Sequence, residues 1–252
     1  MSSGAAQPPA AGRRPGRWRR NDPALYDDLA GSWQDPVGPL APLQWLAAAR
    51  ARLLPPAAQP QVSLLVDLGC GGGGFAPHAQ ALGYRHVGVD LVSSALRVAR
   101  DRGMAGAVAD VAALPLPDRC ADVVCAGEIL EHVTDLPAVV AQACRILRPG
   151  GLLVVDTLAA TALSRLLAIH LAERLPRVPS GVHDPALLVD RVALRRLCAA
   201  HGVSLTMRGL RPTAGSLLRW WTGRAGRPGA PAGAMVPTWS TAVLVQAWGV
   251  KR

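Results

Sequence analysis

Lysine is nearly missing from this chain: Lys251 is the one lysine among 27 basic residues. Aromatic residues make up only 4% of the 252 residues, with a single phenylalanine, whereas hydrophobic residues reach 50%. A core must therefore be built from Leu, Val and Ala. No apolar run approaches the roughly 20 residues that span a bilayer. The N-terminal arginines have no apolar stretch behind them, so a secretory signal is not expected. The cysteines Cys70, Cys120, Cys125, Cys144 and Cys198 are odd in number and lack C-x-x-C spacing, which fits reduced thiols in a cytoplasmic protein. Net charge is +10, which raises nucleic acid or an anionic membrane as a partner. No aromatic-studded basic strand accompanies the charge, so nucleic acid is not the expected partner. The Arg and Ala excess is what a GC-rich coding sequence produces. Five arginines against Asp22 put +4 on residues 1–23 and leave +6 for the rest.

The chain divides into a basic tail over 1–23, rich in Ala, Pro, Gly and Arg and expected to be disordered, and one domain over 24–252. Within the domain, 24–60 reads as a helical lead-in. From Val62 strands and helices alternate: strands near 62–67, 86–90, 106–109, 121–126 and 151–157, helices near 75–82, 93–102, 135–147 and 189–201. Such alternation predicts an α/β fold, Rossmann-like, with a seven-stranded, mostly parallel sheet and helices on both faces. Segments 203–210 and 241–248 supply an antiparallel pair at one edge, and 223–237 reads as loop by its Gly and Pro content. An insertion over 158–185 follows the fifth strand. In it Leu163, Leu166, Leu167, Leu171 and Leu175 recur at helical spacing, interrupted by His170 and Arg174. Those arginines and leucines suit either a lid over the active site or a lipid surface.

The segment Val66-Asp67-Leu68-Gly69-Cys70-Gly71-Gly72-Gly73-Gly74 turns a buried strand through glycines into a helix. Such a turn brings backbone close to a nucleotide beside a helix N-terminus. Asp67 precedes the first glycine, and Asp90 ends the next strand, where a carboxylate can accept both hydroxyls of a ribose. Glu128, Glu131 and His132 form E-x-x-E-H after the fourth strand, at the sheet edge where open α/β folds hold ligands. On a helical turn these three share one face and could chelate a divalent ion such as Mg²⁺.

D-x-G-C-G-x-G, the strand-end acids, "EHV" and "LRPGG" (147–151) together resemble the class I S-adenosylmethionine-dependent methyltransferases. Within them the chain is most similar to the ubiquinone-biosynthesis O-methyltransferases of the 3-demethylubiquinol type. Trp33-Gln34-Asp35-Pro36 with Pro42, Leu43 and Arg50, Gly127 to Val133, and Gly181-Val182-His183-Asp184 carry that narrower likeness, which runs from about Tyr26 to Leu210. The resemblance implies S-adenosyl-L-methionine as cofactor. Gly69, Gly71, Gly73 and Gly127 would lie along it, Asp67 at its amino-acid end, Asp90 at the ribose and Asp110 at the adenine edge. Arg50, with Arg52 as the alternative register, would pair with its carboxylate. It also associates Glu128, Glu131 and His132 with a divalent cation and the insertion with membrane contact, at the inner face. The acceptor implied is a phenol or catechol hydroxyl of an aromatic, prenylated quinone precursor. His132 and His183 are the candidate catalytic bases, since a base with a pKa near working pH helps to deprotonate a phenol. Val182 stands where the family string Thr-His-Asp has threonine. The alternatives are an O-, N- or C-methyltransferase of secondary metabolism, an NAD-binding oxidoreductase and a non-catalytic binding module. An oxidoreductase would need a Tyr-Lys or Cys-His set that Tyr26, Tyr84 and Lys251 do not assemble.

Overall fold

The structure is a computed structural model, and it describes residues 19–175, 177–223 and 233–252. The basic tail expected over 1–23 lies outside the described residues up to position 18; beyond it Arg20 and Asn21 hydrogen-bond to the domain. After the short helix α1 (Leu25–Asp28) comes α2 (Ala41–Ala51), then β1 (Leu64–Leu68), α3 (Ala76–Ala81), β2 (Arg85–Asp90), α4 (Ser93–Arg100), β3 (Ala105–Val108) and β4 (Ala121–Gly127). The chain continues through α5 (Leu136–Ile146), β5 (Leu147–Leu158), α6 (Ala162–Ser164), α7 (Arg191–Ala200), β6 (Thr206–Pro212), α8 (Ala214–Trp221), β7 (Met235–Thr238) and β8 (Leu244–Val250).

The strands form one sheet in the order β3-β2-β1-β4-β5-β8-β6-β7. The first five are parallel, as the pairings of β1 with β2 and β4, β2 with β3 and β4 with β5 establish. The last three run antiparallel. β1, at the centre, is buried along its whole length, as expected of a parallel strand covered on both faces. Chain order reverses between β1 and β4, so their carboxyl ends frame the crevice where open α/β sheets bind ligands. α5 starts where it does because Asp135 accepts from the Ala138 N–H and Pro137 occupies the first turn.

Among the described residues the sheet has eight strands rather than seven. β7 lies in the stretch expected to be loop, of which 224–232 falls outside the described residues. Pro237 does not forbid this strand, because β7 pairs only with β6 and sits at the sheet edge, where a missing N–H costs no ladder bond. The insertion is helical but irregular. After α6 it passes through a π-type stretch, Arg165–Leu171, and a 3₁₀ turn, Ala172–Arg174. Ile169 is buried against Leu158 and Leu188, while Leu163, Leu166, Leu167 and Leu171 remain exposed.

Candidate active site

The glycine-rich turn connects β1 to α3 with Gly69, Gly71 and Gly73 all at positive φ. Gly71 is required twice, since its φ is +50° and a Cβ there would sit 2.3 Å from the Trp33 ring. Its N–H donates to Asp90 Oδ2 at 2.8 Å, and Val92 N–H donates to Asp90 Oδ1 at 2.8 Å. The strand-end carboxylate therefore ties the tip of β2 to the glycine turn. Burial pushes the Asp90 pKa up, and the two backbone N–H groups work against that rise. Asp67 is buried at the end of β1 with His86 Nε2 at 3.5 Å. Asp110 is exposed, and its carboxylate accepts from Ala112 N–H in a local turn.

Arg50, rather than the exposed Arg52, points inward. Its Nε donates to Asp156 Oδ2 at 2.6 Å, and its guanidinium stands 5.3 Å above the Phe75 ring centroid. Gly127 makes the space: a Cβ there would fall 1.5 Å from Arg50 Nη2. Burial alone would lower the Arg50 pKa, but Asp156 and Asp67 outweigh it and keep the guanidinium charged. The second Asp156 oxygen accepts from Gln246 Nε2 at 2.8 Å, so the carboxylate is satisfied on both sides. Arg50 thus lies across the carboxyl ends of β1, β4 and β5 with its charge already partnered. That finding adds Asp156 to its expected role toward a cofactor carboxylate.

The E-x-x-E-H segment does not form the single helical face expected of it. Glu128 sits at φ +58°, and only Leu130–His132 make a 3₁₀ turn, with i+3 geometry in place of an α-turn. The ligand atoms of Glu131, His132 and His183 lie within 4.8 Å of one another, and Glu128 is outside that set. Glu131 is fully buried and accepts from Thr157 Oγ1 at 2.8 Å and Leu158 N–H at 3.3 Å. Burial, then the neighbouring Glu131 carboxylate, pushes the Glu128 carboxyl well up. Burial likewise raises Glu131, to about 7, with hydrogen bonds opposing the rise. The rings of His132 and His183 stack with centroids 5.2 Å apart. Burial and the neighbouring His183 push His132 down to about 3, and burial pushes His183 down to about 4. The two imidazoles expected as bases near working pH are thus neutral acceptors, and Glu131 is the group that titrates near neutrality.

Tyr26 and Trp33 complete the site from the lead-in. Tyr26 stacks on Trp33 at 5.9 Å and meets His132 edge-on at 6.3 Å. Burial, then the Glu131, Asp90 and Glu128 carboxylates, push its phenol pKa up, which places Tyr26 between the β2 and β4 ends. Sequence reasoning passed over Asp156, Thr157 and Tyr26 as site residues. Asp156 could have been found as another acid at a strand end; Thr157 and Tyr26 carry no such signal.

Residues 66–155 match a family model described as a methyltransferase domain. The ubiquinone biosynthesis O-methyltransferase of Thiobacillus denitrificans is 34% identical over 188 residues, covering 71% of this chain and 81% of that protein. Its counterpart from a Methylobacterium species is 33% identical over 71% of this chain and 80% of its own. Among solved structures, a SAM-dependent methyltransferase from Thermotoga maritima shares the fold at a TM-score of 0.60 with 18% identity, over 90% of this chain and 97% of that one. The glycine turn, a strand-end acid on each side of it and the partnered Arg50 fit S-adenosylmethionine as the cofactor of this fold. On fold, sequence and site together, the chain belongs to the ubiquinone biosynthesis O-methyltransferase family of S-adenosylmethionine-dependent methyltransferases.

Proposed function

We propose that this enzyme methylates a phenol or catechol hydroxyl of a quinone precursor of the 3-demethylubiquinol type. The observation that carries the reading is the cluster of buried Glu131 with half-buried His132 and His183 at the carboxyl end of β4, one strand from the glycine turn. The names of the relatives, ubiquinone biosynthesis O-methyltransferases, support the same acceptor class. S-adenosylmethionine supplies a methyl group on a positively charged sulfur, so the protein's task is to orient and desolvate the acceptor and receive its proton. Glu131, with a pKa pushed up to about 7, is matched to that proton transfer. Methyl transfer to a catechol, measured against the same ring lacking hydroxyls, tests the assignment.

The cluster also fits a divalent cation. Two buried atoms nearby, Glu128 Oε1 and His183 Nδ1, have no hydrogen-bond partner among the described residues. One carboxylate with two imidazoles favours a borderline ion such as Mn²⁺ or Zn²⁺ over Mg²⁺. Held by Glu131, His132 and His183, such an ion would lower the acceptor hydroxyl pKa. Dialysis against EDTA should then abolish catechol methylation and Mn²⁺ should restore it, while calorimetric binding of S-adenosylhomocysteine stays unchanged. Full activity in chelator would assign the site to Glu131 and the histidines alone.

An anionic membrane is the proposed source of a prenylated acceptor. Leu163, Leu166, Leu167 and Leu171 are each 42–47% exposed on the insertion, flanked by exposed Arg165 and Arg174. A cavity of about 90 Å³ lined by Leu175, Arg177, Trp220 and Trp221 joins this surface to α8, where Leu217, Leu218 and Trp221 are also exposed. No helix among the described residues is long and apolar enough to cross a membrane, so contact would be at the surface. Flotation with phosphatidylglycerol vesicles should show binding that weakens with salt and with the paired changes Leu166→Glu and Leu167→Glu. Wild-type protein that stays unbound at low salt would make the insertion a lid.

A further inference from the structure

Residues 20 and 21, from the stretch read as a featureless tail, reach into the site. Asn21 Nδ2 donates to the His132 carbonyl oxygen at 2.8 Å, and Asn21 Oδ1 lies 2.6 Å from His132 Nδ1. A carbonyl oxygen can only accept, so the amide NH₂ must be the half that faces it. The amide oxygen then faces the ring, and it too can only accept. Nδ1 must therefore carry the hydrogen. A neutral imidazole has one N–H, so with that hydrogen on Nδ1 the Nε2 lone pair is free.

We propose that Asn21 is a positioning residue that locks His132 in the Nδ1–H tautomer and keeps Nε2 open for the acceptor or its cation. The catalytic consequence rests on the reading of the site given above; the tautomer does not.

Asn21 is itself held in place from both sides. Its backbone occupies the left-handed region at φ 61°, which asparagine tolerates better than most residues. Its N–H donates to the Gly181 carbonyl at 2.9 Å. The neighbouring Arg20 donates to the His183 carbonyl at 2.8 Å and makes two contacts of 3.1 Å to Glu173, whose side chain is 7% exposed. One dipeptide thus fixes the ring of His132 and the loop that carries His183. The insertion and β4 are otherwise far apart in sequence, so this strap sets the distance between the two stacked imidazoles.

The test is the ¹⁵N spectrum of the full chain labelled at histidine, with His132 assigned by loss of its signals in His132→Gln. Wild type should show a protonated Nδ1 and an unprotonated Nε2 at neutral pH. Asn21→Gly keeps the backbone conformation without strain and removes the amide, so the tautomer bias should be lost. Asn21→Asp keeps an acceptor and should retain it. In methyl transfer, kcat of Asn21→Gly should fall by about 10- to 100-fold, the usual cost of losing the partner that orients a site histidine. The KM for S-adenosylmethionine should be unchanged, and Asn21→Asp should recover most of the rate. A wild-type ring protonated at Nε2, or a glycine variant with the wild-type tautomer or the wild-type kcat, would overturn the proposal. If no catechol is methylated at all, the acceptor assignment fails while the spectra still decide the lock.

Discussion

Arg50→Met should destabilise the protein by about 3–5 kcal/mol, the largest loss expected from any single change in the site. Arg50 is 5% exposed, Asp156 is fully buried, and their contact is 2.6 Å. Removing the guanidinium leaves a carboxylate that has, among the described residues, only Gln246 Nε2 as a side-chain donor. Gly127 adds to the cost, because its missing side chain is the space Arg50 fills, and methionine cannot satisfy the polar surroundings. Denaturant unfolding would read the loss directly. The double change Arg50→Met with Asp156→Leu should recover a large part of it, since removing both members of a buried pair is far less harmful than removing one. A single variant within about 1 kcal/mol of wild type would mean the pair does not brace the ends of β4 and β5.

Glu131→Gln should lower kcat by about 10²–10⁴-fold, the range for loss of a positioned proton acceptor. Wild-type kcat/KM should rise with pH through about 7, because the deprotonated carboxylate is the active form and burial has pushed its pKa up to that value. The variant should lack this rising limb. Stability must move the other way. Glu131 binds its proton more tightly in the folded protein than in the unfolded chain. Its favourable contribution is therefore present below the unfolded value and is lost as pH climbs through about 7. A neutral glutamine escapes that loss, so the variant should be no less stable than wild type at pH 8. Unaltered pH dependence, or an activity loss matched by unfolding, would remove Glu131 from the chemistry. Mn²⁺ should shift the wild-type limb to lower pH, since a cation competes with the proton.

The parallel half of the fold was legible because its signals are local. The strands that carry Asp67 and Asp90 near their ends, with a glycine turn between them, lie within one short stretch of chain. β7 was hidden because glycine and proline normally break structure, and only its position at the sheet edge makes Pro237 harmless. The turn at Glu128 was misjudged for a different reason. Spacing of i, i+3 and i+4 implies one face only if the backbone is α-helical, and the positive φ at Glu128 breaks that premise. His183 then takes the place expected for Glu128, through a stacking contact with His132 across 51 positions that no local pattern encodes. Asn21 is the extreme instance, contacting His132 across 111 positions from a segment whose composition reads as disorder.

The methyl group of S-adenosylmethionine should end on a ring oxygen of the acceptor. Trideuteromethyl-labelled cofactor incubated with the enzyme and a soluble 3-demethylubiquinol analogue, followed by mass spectrometry and NMR of the product, measures this directly. A single trideuteromethyl ether on one catechol oxygen is expected, with one S-adenosylhomocysteine formed per ether. Label on carbon or nitrogen, or no transfer by a protein that binds the cofactor, would contradict it.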